Sequence, residues 1–110
     1  MREITLPMPP SMNALYRHAG HVVYKTELAR TWEKDAGILL STQWKEKCKE
    51  GAVMLVVDLF LKRDRDIDNS LKVLLDLMQG KVYENDKQIN HLTIRKLEDK
   101  SDPRVVIQVL

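Results

Sequence analysis

Cysteine occurs once in this chain of 110 residues, at Cys48. An intramolecular disulfide is therefore excluded, and a reducing, cytoplasmic setting is the default expectation. Histidine is scarce too: His18, His21 and His91 show no spacing usual for zinc ligands, so a zinc site is not expected. Gly20, Gly37, Gly51 and Gly80 stand isolated, so there is no glycine-rich phosphate loop, and no nucleophile elbow marks a serine hydrolase. Long apolar runs are absent as well. The longest, Ala52 to Leu61, is broken by Asp58 and falls far short of the ~20 residues a membrane helix needs. No basic segment leads into an apolar stretch at the start, so neither a secretory signal nor a membrane span is expected. Neither sign of charge dominates: the formal net charge of +2 is compatible with nucleic acid without indicating it.

What is present suits a folded protein. Hydrophobic residues at 44% and charged residues at 31% argue against disorder, and the length predicts one domain over residues 1–110. Ile4 and Leu6 alternate with Glu3 and Thr5, as in a strand, which Pro7-Met8-Pro9-Pro10 stops because proline supplies no amide hydrogen. Ser11 to Gly20 reads as an irregular loop and Val22-Val23-Tyr24 as a short strand. Thr26 is placed to cap a helix running to about Lys49, with Leu28, Trp32, Ala36, Leu39, Leu40 and Trp44 as its core stripe. Val53 to Leu61 is almost continuously apolar, the pattern of a central strand covered on both faces. A second helix follows, capped by Asp68 or Asn69 and ended by Gly80, with Leu71, Leu74, Leu75 and Met78 inward and Asp68, Lys72, Asp76 and Gln79 outward. Ile89 to Leu97 and Val105 to Leu110 read as a closing hairpin. The order β-β-α-β-α-β-β predicts an α/β (α+β) domain, a mixed sheet packed against two helices.

The chemistry concentrates in Arg65-Asp66-Ile67-Asp68-Asn69, followed by Lys72 and later by Glu84-Asn85-Asp86. Carboxylates repel one another, so a fold that gathers them neutralises them with a cation, and oxygen-only ligands favour a hard one such as Mg²⁺. Asp66 and Asp68 lie two residues apart, roughly 6–7 Å in an extended segment, with both side chains on one face. They sit where a central strand hands over to a helix, the sheet edge and dipole end that favour anionic groups and phosphate. Lys72 follows Asp68 by one helical turn and is placed to stabilise charge on a phosphoryl oxygen. Asp86 has to arrive from another segment. Singly, each residue has a plainer reading: Asp68 a cap worth about 1 kcal/mol, Lys72 a surface partner for Asp76, Asp66 a partner for Arg63 or Arg65. Together they favour catalysis. Asp64, Asp66 and Asp68 also alternate like a calcium-binding loop, but such a loop requires glycine and glutamate where this chain has Asn69 and Leu75.

These blocks resemble the RusA family of Holliday-junction resolvases. The similarity lies in Arg65-Asp66-Ile67-Asp68-Asn69 with Lys72, in Asn85-Asp86-Lys87-Gln88-Ile89, and in Leu6-Pro7-Met8-Pro9-Pro10-Ser11-Met12-Asn13 followed by Tyr16-Arg17-His18. The resemblance implies a single endonuclease domain over residues 1–110, acting as a homodimer, often phage- or prophage-borne, and cutting four-way DNA junctions with Mg²⁺ in recombination and repair. It implies Asp66, Asp68 and Asp86 as metal-binding catalytic carboxylates and Lys72 as the catalytic lysine. A two-fold dimer matches a two-fold junction, which needs two matched nicks. Arg17, Lys62, Arg63 and Arg65 are candidates for the DNA-binding surface. Two other readings stand beside this one: a less selective metal-dependent nuclease, and a noncatalytic nucleic-acid-binding module whose aspartates are caps and ion-pair partners. Tyr16 and Tyr24 are candidates for contact near the junction centre, and Asp58 for the acidic pocket or the dimer interface.

Overall fold

Strand β1 (Arg2–Pro7) forms from the predicted alternation, with Ile4 and Leu6 buried, and ends at the proline. The structure, a computed structural model, describes residues 2–11, 16–20 and 22–110, with residues 16, 17 and 22–24 described by backbone alone. After β1 come β2 (Tyr16–Ala19) and β3 (Val22–Lys25), helix α1 (Glu27–Gln43), β4 (Val53–Leu61), helix α2 (Leu71–Met78), a 3₁₀ turn (Asp86–Gln88), β5 (Ile89–Glu98) and β6 (Arg104–Val109). β1, β6, β4 and β5 make one mixed sheet in that order, while β2 and β3 pair separately. The fold class matches the sequence expectation. Part of the segment read as an irregular loop is instead the first arm of the β2–β3 hairpin, which turns where Gly20 takes φ 64°.

The closing strands are not a hairpin. β4 lies between them, parallel to β5 (Asp58 beside Arg95) and antiparallel to β6 (Asp58 beside Val106). The short connection from Glu98 to Arg104 crosses the end of β4, where the Asp99 amide donates to the Leu61 carbonyl at 2.9 Å. The Asp99 carboxylate then accepts from the amides of Ser101 and Asp102 and from Arg104. Asx-turn chemistry of this kind looks the same in sequence whether the flanking strands pair or pass on either side of a third.

β4 is central, as its composition requires, but its two faces differ. Val53, Leu55, Val57, Leu59 and Leu61 are buried beneath the helices, whereas Met54, Val56, Asp58 and Phe60 are half-buried. The expected cover on both faces is met on one among the described residues.

Thr26 caps α1 as predicted, its hydroxyl accepting from the Ala29 amide. The helix stops at Gln43, six residues before the expected end, because Trp44 adopts extended backbone angles. Ala29, Trp32, Ala36 and Leu40 form its buried stripe and Trp44 continues it, whereas Leu28 and Leu39 are 55% and 41% exposed. The predicted stripe was too wide: helical periodicity identifies an apolar arc, and the sheet covers only part of it.

Candidate active site

β4 delivers its chain into a turn directly in front of α2. Amides of Asn69 and Leu71 donate to the carbonyls of Asp66 and Asp68, at 3.0 and 3.2 Å, so residues 66–71 coil before the helix proper begins. The N-cap of α2 is Ser70, not Asp68 or Asn69, and it makes no capping bond through its side chain. The Asp66 and Asp68 side chains are therefore not consumed by capping, and both residues are exposed.

Charge pairing separates the acidic residues into two groups. Asp58 is held by Arg95 in a bidentate bridge, Nε to Oδ1 at 2.7 Å and Nη2 to Oδ2 at 2.9 Å, which lowers its pKa, with burial opposing. Asp64 pairs with Lys96, Asp76 with Lys72, and Asp99 and Asp102 with Arg104. Among the described residues no cationic side chain pairs with Asp66, Asp68 or Asp86. The three carboxylates implied by the family resemblance are thus the aspartates of the chain's second half with no cationic partner among the described residues.

Asp86 comes in at the other end of α2. Its amide donates to the Gln79 side chain at 3.0 Å, and the turn bearing it is tied down by Gln88, whose amide group donates to the carbonyls of Lys49 and Gly51. The Gln88 oxygen accepts from the amides of Glu84 and Asn85, while Asn85 accepts from the Lys87 amide. Asn85 is accordingly a cap. Its partner Gln88, three residues on, completes a capping box that the sequence displays and the sequence reading overlooked. Beneath lies buried Tyr83, whose hydroxyl donates to the Leu75 carbonyl at 2.6 Å. Burial pushes the Tyr83 phenol upward, and the negative charges of Asp86 and Asp76 push it further.

Asp68 precedes the N-terminus of α2 and Asp86 is tied through Gln79 to its C-terminal end, with a helix of eight residues, about 12 Å long at 1.5 Å rise, between them. Mg²⁺–oxygen bonds are about 2.0–2.1 Å. Among the described residues no three His, Cys, Asp or Glu side chains lie close enough to hold one ion. The donor set of Asp66 and Asp68 (hard oxygens without a protein counter-ion) fits a divalent cation chemically. Asp66, Asp68 and Asp86 do not gather into one such group within the chain.

Lys72 stands in the first turn of α2 with its Nζ 2.8 Å from Asp76 Oδ1, the surface pairing that its plainer reading foresaw. Lys62 and Arg63 are exposed at the end of β4, beside a groove of about 650 Å³ lined also by Pro7, Met8 and Trp32. Arg65 is half-buried, its Nη1 donating to the Pro9 carbonyl and to the Ser70 hydroxyl. The Arg17, Tyr16 and Tyr24 side chains lie outside the described residues.

The family model described as endodeoxyribonuclease RusA matches residues 7–110. Over 108 residues the chain is 35% identical to the crossover junction endodeoxyribonuclease RusA of Aquifex aeolicus (strain VF5), covering 94% of this chain and 84% of that relative. Over 98 residues it is 29% identical to the crossover junction endodeoxyribonuclease rusA of Enterobacteria phage HK97, covering 84% and 79% respectively.

Proposed function

This chain belongs to the RusA family of endodeoxyribonucleases, and we propose that it resolves four-way DNA junctions by paired, symmetric nicks as a Mg²⁺-dependent homodimer. The observation that carries this reading is the pair Asp66 and Asp68, exposed and without a cationic partner among the described residues, at the exit of the central strand. Carboxylates left unpaired beside a helix N-terminus suit a hard cation and a phosphodiester. When bound there, a divalent ion supplies Lewis-acid stabilisation of the phosphoryl oxygen and a more acidic water. Asp66 and Asp68 hold it. Lys72, in the first turn of α2, exchanges Asp76 for the scissile phosphate and places positive charge where negative charge builds on the phosphoryl oxygens. Exposed Lys62 and Arg63 contact flanking phosphates, which gives shape-led rather than sequence-led binding.

The gap of one helix length would give a dimer a chemical role besides symmetry. A two-fold pair offers each Asp66–Asp68 seat a second Asp86, and we propose that the metal centre is completed between chains. Incubation with a synthetic mobile four-way junction, with and without Mg²⁺, tests the activity. Expected are metal-dependent matched nicks and ligatable ends, with linear duplex largely uncut. Equal digestion of linear duplex would instead make the protein a general nuclease. The alternative, a noncatalytic binding module, is compatible with the Lys72–Asp76 pair, and it predicts junction binding indifferent to Mg²⁺ and no cutting with any divalent ion.

A further inference from the structure

At the C-terminal end of α2, away from Asp66 and Asp68, the chain builds a polar pocket of about 290 Å³. Its walls come from the last turn of α1 (Ser41), the segment that follows (Trp44, Lys47) and the turn after α2 (Gly80, Lys81). Backbone bonds fix these walls relative to one another. The Lys49 amide donates to the Val82 carbonyl and the Gly80 amide to the Tyr83 carbonyl, both at 2.7 Å, and the Lys81 amide to the Met78 carbonyl at 3.1 Å. Gly80 makes the turn possible, since its φ of 89° is one that residues with a Cβ rarely adopt.

Donors outnumber acceptors in this pocket. Lys81 Nζ donates to Ser41 Oγ at 2.7 Å, and that hydroxyl gives its own proton to the Gly37 carbonyl at 3.0 Å. An ammonium carries three N–H groups, so two on Lys81 have no acceptor among the described residues, and exposed Lys47 has none for its own. The indole Nε1 of Trp44 is buried and also without an acceptor among them. Buried N–H groups are costly to leave unpaired, so one that lacks a protein partner points to a bound water or ion. The carboxylate that lines the pocket, Glu46, is already engaged by Arg2. The end of α2 opposes an anion with a partial charge of about −0.5, but two ammonium groups bring full positive charges, so attraction wins.

We propose that Lys47 and Lys81 form a seat for a backbone phosphate of a DNA arm, at the opposite end of α2 from Lys62 and Arg63. The inference rests on the proposed reading of four-way DNA as the ligand. Cys48 lines the same pocket and is the sole cysteine of the chain, so the wild-type protein carries its own reporter. Alkylation of Cys48 by iodoacetamide is followed by mass spectrometry in Mg²⁺-free buffer, with and without a saturating four-way junction. Junction affinity is titrated against salt for wild type, Lys47→Gln and Lys81→Gln. Expected are alkylation slowed severalfold by the junction and, for each substitution, a salt slope reduced by about one with affinity lowered severalfold. Wild-type salt slopes for both variants, or an unprotected Cys48 in the saturated complex, would overturn the inference. Equal protection by inorganic phosphate at the same phosphate concentration would make the pocket a free-anion site and overturn it too. Cutting is scored separately. A protein that passes these binding tests but cuts nothing refutes the nuclease reading alone, and one that cuts junctions with wild-type slopes in both variants refutes this inference alone.

Discussion

At the residue scale the site is defined by which carboxylates are neutralised. Asp66 and Asp68 have no cationic partner among the described residues, so substituting one should disturb chemistry far more than stability. Asp68→Asn is expected to abolish cutting and leave junction affinity nearly unchanged, and a nicking assay beside a gel-shift titration checks both. Full activity would remove Asp68 from the catalytic set. Asp58 presents the contrasting case. Arg95 holds its carboxyl below the usual range, so the stabilisation is complete above the unfolded carboxylate value of about 3.9 and is lost as pH falls through the lower folded value. Arg95→Ala should therefore lower stability slightly near neutrality. That deficit should vanish in strong acid, measured as melting temperature against pH. A deficit that persists at about pH 2 would contradict the assignment.

The residue types of the site were readable from sequence because spacing alone reveals an Asp-x-Asp pair and a lysine one turn on. What spacing could not reveal is where each counter-charge comes from. Arg95 reaches Asp58, and Lys96 reaches Asp64, across strands separated by more than thirty positions. Arg65, read as part of a DNA-binding surface, is half-buried and donates to Pro9 and Ser70, partners that spacing does not reveal.

At the scale of elements, the strands and helices followed from alternation and periodicity, while neighbour relations did not. A hairpin and a pair of strands flanking a third have the same local pattern, and only the parallel β4–β5 ladder distinguishes them. Edge protection was equally hidden. Thr5 on β1 directs its amide and carbonyl away from β6, and Gln43 at the end of α1 satisfies both at 2.8 Å. Gln43 thus occupies the place of a neighbouring strand and blunts that edge. Gln43→Ala should cost about 0.5–1.5 kcal/mol, since it removes two hydrogen bonds from an exposed strand edge. Denaturant unfolding measures this, and a loss below a few tenths would mean that water replaces the glutamine. Gln88 acts similarly on the turn bearing Asp86, joining it to residues 49 and 51. Gln88→Ala should loosen that turn and reduce cutting severalfold, with exchange of the Asn85 amide rising in parallel.

For the whole molecule, the sheet and α2 place two parts of one proposed metal centre at opposite ends of a helix. In the proposed centre they meet through a second chain, and subunit mixing measures this directly. Purified heterodimers of one Asp68→Asn chain and one Asp86→Asn chain, each inactive as a homodimer, carry one intact centre if Asp86 is contributed by the partner. The expected result is a junction nicked on one strand with Mg²⁺ but not resolved. Heterodimers as inactive as either parent would contradict a centre shared between chains.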